Sequence, residues 1–128
     1  MGFPAFLAVG FGAFAGALLR WLFGIALNPI LPALPLGTLA ANLLGGLVIG
    51  AALGVFDQFQ SLPVELRLLI TTGFCGGLTT FSTFSAETVT LLLRQQYAWS
   101  AAIITAHVAG SLLMTFAGIF LVRFVLKA

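Results

Sequence analysis

Apolar residues run along this chain in four long stretches separated by short polar interruptions. No charged side chain falls within Met1–Leu19, Trp21–Phe56, Leu68–Ala86 or Gln95–Val122. A helix that crosses a membrane needs about 20 mostly apolar residues, each adding about 1.5 Å. The pattern predicts a first helix over about Phe3–Leu27, stopped before Asn28-Pro29, and a second over about Gly37–Phe56, ended by Asp57-Gln58. A third covers roughly Val64–Leu93, and a fourth runs from about Trp99 to Val125, with Arg123 and Lys127 at its end. Pro29, Pro32 and Pro35 make the first connection rigid and extended, because each proline also turns its predecessor away from helix. Pro63 and Glu65 mark the start of the third helix, where proline and acids are favoured. Residues 1–128 thus read as a single domain of four transmembrane helices.

The third stretch carries an interruption. Gly73-Phe74-Cys75-Gly76-Gly77-Leu78-Thr79-Thr80-Phe81-Ser82-Thr83-Phe84-Ser85 lies where a membrane helix should be continuous. Glycine inside a helix costs about 1 kcal/mol relative to alanine. Non-helical backbone at membrane depth persists only where protein or a water-filled cavity satisfies its freed amides and carbonyls. Transporters and channels use such breaks to point helix ends and carbonyls at ions. The segment is therefore expected to unwind over Gly76–Thr79, broken near 76–80, as an ion-handling site at mid-membrane.

Composition removes other classes. The chain of 128 residues is 61% hydrophobic and only 6% charged, with a mean hydropathy of +1.19. Soluble domains carry about 25% charged residues, so this chain is integral to a membrane. Met1–Leu19 lacks the basic segment that opens a secretory signal, and its apolar run continues through Trp21; it is expected to be retained as the first helix. The net charge of +2 comes from scattered basic residues, which points to no nucleic-acid partner. A single cysteine, Cys75, allows no internal disulfide, and no CxxC or Cys/His metal spacing is present. Without a Gly-Lys-Ser/Thr phosphate loop, the chain is not expected to use ATP by itself. No catalytic residue is identified, and the chain is not expected to be an enzyme.

Small residues recur at GxxxG spacing in Gly12/Gly16, Gly46/Gly50, Gly50/Gly54 and Gly73/Gly77. This spacing allows close backbone approach in lipid, either within one subunit or across a dimer seam. With the N-terminus in the cytoplasm, Arg67, Arg123 and Lys127 oppose Arg94, joined by Arg20 if it lies near that surface. The Lys/Arg difference that orients membrane chains nearly vanishes, so either orientation should insert.

Polar groups inside the apolar stretches are the candidates for chemistry, because such groups are expensive in a membrane. Arg20 either snorkels to a membrane face or is a fixed charge that draws anions to a pore. Asn42 either glues helices together or contacts an ion through its amide. Phe81 and Phe84 share a face beyond the break. As a pair they pack in a core or against lipid, unless their electropositive ring edges replace water around a small anion, helped by Thr79, Thr80, Ser82, Thr83 and Ser85. His107, Ser111 and Thr115 form one stripe on the fourth helix, although Ser and Thr also bond back to their own helix. His107 reads as a neutral histidine rather than a metal ligand. Glu87 marks a vestibule or pairs across an interface. The set is rich in donors and poor in acids, which favours an anion in the pore; carbonyls of the break suit a hard cation such as Na⁺.

Gly37-Thr38-Leu39-Ala40-Ala41-Asn42-Leu43-Leu44-Gly45, the Gly73–Ser85 run, Gly110-Ser111 and Arg20-Trp21 together closely resemble the CrcB/Fluc fluoride channel family. The resemblance covers essentially the whole chain. It implies an all-α, dual-topology, antiparallel homodimer of four-helix subunits in the bacterial plasma (inner) membrane, in contact with membrane lipid, with two fluoride pores at the interface and a central structural Na⁺. By that resemblance Phe81 and Phe84 contact fluoride, Asn42 hydrogen-bonds near them, and Ser111 and Thr115 extend a polar track. Gly76 and Thr79 give backbone carbonyls to Na⁺, and Arg20 sits toward the vestibule. The function implied is passive export of F⁻, which relieves fluoride toxicity. Two readings compete with it: a small four-helix proton-coupled multidrug exporter, which resembles a family needing a first-helix glutamate that this chain lacks, and a non-transporting scaffold subunit.

Overall fold

The computed structural model describes residues 2–127. Helix α1 spans Phe3–Leu27, with Pro4 in its first turn, where its missing N–H leaves no gap. A single 3₁₀ turn, Asn28–Ile30, and the proline-rich stretch that follows lead to α2, Leu36–Gln58. Helix α3, Val64–Leu68, opens after Pro63 with Glu65 in its first turn. The chain then widens into a π-helical segment, Leu69–Cys75, and tightens again into α4, Gly76–Leu78. After an extended pair, α5 covers Phe81–Leu93 and α6 covers Tyr97–Lys127. No strand occurs among the described residues.

Three helical stretches, Phe3–Ile30, Leu36–Gln58 and Tyr97–Lys127, are long and apolar enough to cross a membrane. The segment from Val64 to Leu93 is divided among shorter pieces. Its break lies later than the glycines suggest. Gly76 and Gly77 are helical, whereas Thr79 (φ −85°, ψ 154°) and Thr80 (φ −149°, ψ 118°) are extended. Gly77 serves packing rather than unwinding: a Cβ there would collide with the Ala13 backbone of α1.

α1 lies along the π-helical segment and α4, while α2 packs most extensively on α6. Both seams depend on absent side chains. A Cβ on Gly16 would strike the Phe74 carbonyl, and one on Gly50 would strike that of Thr115. Gly12, Gly46 and Gly54 likewise meet neighbouring elements of the same chain, so the small-residue stripes are packing surfaces within the subunit. α2 is the inner helix, with 33% of its apolar window buried against 11% for α1 and 6% for α6. Large apolar side chains such as Phe11, Phe14, Leu113 and Phe124 face outward. The fully buried Leu78 and Ile103 mark the thin interior.

Between α5 and α6 the chain turns at Gln95, whose φ is +59°. Gln96 N–H donates to Leu91 O (2.9 Å) and Gln95 N–H to Leu92 O (3.0 Å). This nested pair is the Schellman closure, made here without glycine.

Candidate functional site

At the extended Thr79–Thr80 pair the Thr79 N–H still donates to Cys75 O (2.9 Å), whereas the amide and carbonyl of Thr80 are taken up by a neighbouring side chain. Asn42, on α2, faces the break. Thr80 N–H donates to Asn42 Oδ1 at 2.8 Å, and Asn42 Nδ2 donates to Thr80 O at 3.1 Å. The carboxamide thus pairs with both polar groups of one residue, which fixes its orientation. Its remaining N–H points to His107 Nδ1, 3.0 Å away on α6. His107 Nδ1 is therefore the acceptor, and the imidazole proton sits on Nε2. That Nε2 is buried and has no hydrogen-bond partner among the described residues.

The break also restarts the chain. Thr80 is the N-cap of α5, its hydroxyl accepting from Thr83 N–H at 3.0 Å. Capping of this kind is worth about 1 kcal/mol. Redirecting these two amides has a second effect. Thr80 N–H would otherwise serve Gly76 O, and Thr83 N–H would serve Thr79 O, so both carbonyls lose their helical donors. Gly77 O, next in line, accepts from Arg20 Nε of α1 at 3.0 Å.

Beside the break lies a cavity of about 540 Å³, lined in part by Asn42, Gly76, Thr79, Thr80, Phe81, Phe84, His107 and Ser111. Phe84 is buried and stacks obliquely on His107, with centroids 4.6 Å apart. Phe81 meets Phe84 edge-to-face at 5.5 Å and 74°. It is 77% exposed, so the aromatic pair runs from the interior of the subunit to its surface. Thr115 is one turn beyond Ser111. Its hydroxyl donates to Ser111 O at 3.0 Å, and it is not among the residues lining the cavity.

A second cavity, about 340 Å³, is lined by residues including Arg20, Trp21, Asn28, Thr38, Thr80 and Thr83. Thr80 lines both cavities, and so forms the partition between them. Near this side Thr38 Oγ1 donates to Glu87 Oε2 at 2.7 Å, while Glu87 Oε1 is buried without a partner among the described residues. Glu87 therefore pairs within its own chain. The described residues contain no group of three or more His, Cys, Asp or Glu able to hold a metal. A cation in this protein would have to rely on carbonyl and hydroxyl oxygens.

Residues 7–119 match the family described as CrcB-like protein, Camphor Resistance (CrcB). The chain belongs to the CrcB family. It is 63% identical over 123 residues to the fluoride-specific ion channel FluC of Nitrosospira multiformis, with 96% of each chain covered. Proteins of the same name from Pseudomonas paraeruginosa (58% over 120 residues, 94% of each chain) and Chromobacterium violaceum (60% over 113 residues, 88% of this chain and 90% of the relative) are also similar. The CrcB match begins within α1 and ends within α6, so it takes in every residue of both cavities.

Sequence reasoning picked out Asn42, Phe81, Phe84, Ser111, Gly76 and Thr79, and all six line the larger cavity; Arg20 lines the smaller. It did not single out Thr80 as partition and cap, nor the buried, unpartnered Nε2 of His107. The Thr-Thr pair before Phe81 was the available signal for the first, since threonine is a favoured N-cap. No signal in the sequence gave the His107 tautomer, which depends on a residue 65 positions away.

Proposed function

We propose that this CrcB-family chain is a fluoride-specific channel, not an enzyme, which lets F⁻ leave the cell passively across the bacterial inner membrane and so relieves fluoride toxicity. One observation of the geometry carries the reading: a buried, unpartnered N–H of His107 shares a cavity with the rings of Phe81 and Phe84. A small anion leaving water needs donors to replace its hydration. The cavity offers that N–H, the Ser111 and Thr80 hydroxyls, and electropositive ring edges, with no carboxylate among its lining residues. The names of the relatives agree with this chemistry. No energy coupling is required, because a cell-negative potential favours anion exit by about 2.3 kcal/mol per 100 mV.

The working unit is an antiparallel, dual-topology homodimer with two pores at its interface. The near-absent Lys/Arg bias supports insertion in both orientations. The exposure of Phe81, at 77%, supports a second copy closing the open side of the larger cavity. A structural Na⁺ on the two-fold axis fits the residues present: Gly76 and Thr79 carbonyls lack helical donors, and the symmetry would supply each twice. A hard cation takes such oxygen ligands readily. Phe81 and Phe84 contact the permeating ion, Ser111 and Thr115 lie along its track, Asn42 holds the break beside it, and Arg20 supplies positive charge at the vestibule.

The test is fluoride efflux from liposomes holding the purified protein under a fluoride gradient alone. Rapid, saturating release of F⁻ but not Cl⁻ is expected. Release that requires a proton gradient or ATP, or none at all, overturns the reading.

A further inference from the structure

We propose that Asn28, at the end of α1, is a positioning residue for the smaller cavity, acting through Thr38. The inference rests on the channel reading above and assigns a role to a residue that contacts no ion in it.

Helix α2 starts after Pro35, which has no side chain able to cap it, and no cap from its own N-terminus is formed. The first-turn donors are instead met from another helix. Asn28 Oδ1 accepts from Gly37 N–H at 2.7 Å and from Thr38 N–H at 3.2 Å. These are the two amides that an N-cap side chain normally serves. The approach is close: a Cβ on Gly37 would collide with the Phe23 carbonyl and come within 2.7 Å of Asn28 Oδ1. The α2 start is therefore seated on the end of α1 by a single oxygen.

What that oxygen holds is Thr38. Thr38 is 4% exposed, and its hydroxyl donates 2.7 Å to Glu87 Oε2 on α5. The other Glu87 oxygen has no partner among the described residues, so the Thr38 bond is the side-chain hydrogen bond that restrains this carboxylate. Asn28, Thr38 and Arg20 all line the cavity bounded by Thr80. If the first turn of α2 loosens, Thr38 moves, and Glu87 loses the hydroxyl that fixes its carboxyl group next to the cavity wall. Asn28 thus fixes where the Glu87 carboxyl group sits relative to this cavity, by holding Thr38, without touching the ion.

The experiment compares fluoride efflux through the parent, Asn28→Ala, Asn28→Asp, Thr38→Val and the double variant Asn28→Ala/Thr38→Val, each purified and reconstituted at equal density. Loss of the cap oxygen is expected to slow efflux about tenfold, whereas Asn28→Asp, which keeps an acceptor, stays within about threefold of the parent. If Asn28 acts through Thr38, the double variant is no slower than the slower single variant; losses that multiply overturn the proposal. Asn28→Gln, with the same carboxamide displaced by one methylene, is measured beside Asn28→Ala and is expected to be slow while remaining folded. Folded Asn28→Ala and Asn28→Gln proteins that conduct at the parent rate overturn the proposal alone. A silent parent protein overturns the channel reading and this proposal with it. Failure of both Asn28→Ala and Asn28→Gln to elute as folded protein assigns Asn28 to folding only, and also overturns it.

Discussion

Asn42 and Thr80 meet as two halves of a closed hydrogen-bonded pair, Thr80 N–H to Asn42 Oδ1 at 2.8 Å and Asn42 Nδ2 to Thr80 O at 3.1 Å. A side chain on α2 thereby takes the place of the helical bonds that the third span gives up, and its spare N–H sets the tautomer of His107.

Asn42→Asp keeps the size of the side chain but removes both donors and places a carboxylate oxygen against the Thr80 carbonyl. Leaving such groups unsatisfied costs about 1–3 kcal/mol. A lowered melting temperature in detergent and loss of fluoride efflux are expected together. Asn42→Asp protein that is as stable as the parent and conducts normally would show that the pair is incidental.

Phe84 and Phe81 should separate stability from conduction. Phe84 is 8% exposed and Phe81 is 77% exposed. Phe84→Ile leaves a void beside His107 and is expected to destabilise by about 1–2 kcal/mol, whereas Phe81→Ile leaves the melting temperature of the subunit nearly unchanged. Both remove an electropositive ring edge, and efflux should fall strongly in both. Conduction at the parent rate in both would reduce the rings to packing.

Gly76 has room within its own subunit: a Cβ there would meet only the Thr71 carbonyl, at 3.8 Å. Gly76→Val should therefore be accommodated by the subunit and fail only in assembly or conduction, because the added bulk faces the proposed partner and Na⁺. Size-exclusion chromatography with efflux in Na⁺ and in Na⁺-free buffer checks this. A dimeric Gly76→Val channel at full rate, unaffected by Na⁺ replacement, removes the cation from the account.

Gln95 holds a φ of +59°, which disfavours any residue with a Cβ. Gln95→Gly is expected to raise stability by about 0.5–1 kcal/mol, the relief of strain exceeding the added freedom of the unfolded chain. Thermal unfolding in detergent measures it, and efflux should not change, because Gln95 lies far from both cavities in the chain and lines neither.

Much of this was legible from residue order alone. Charge-free runs of sufficient length, the prolines between them, and threonine, serine and phenylalanine gathered after Gly76-Gly77 are local facts. They suffice for a helical membrane chain with an interrupted third span, because segment hydropathy and helix breaking depend on near neighbours in sequence. The place of the break did not follow from the glycines. The helix cost of Gly77, about 1 kcal/mol, is outweighed by its close contact with α1, while the chain unwinds at Thr79 and Thr80 because Asn42, 38 positions earlier than Thr80, offers the Thr80 amide and carbonyl a partner. The same holds for Arg20 on Gly77, Thr38 on Glu87 and Asn28 on the start of α2. Each joins residues 9 to 57 positions apart. Buried hydrogen bonds are chosen by which groups the packed helices bring within 3 Å or so of one another, and that choice exists only once the chain has folded.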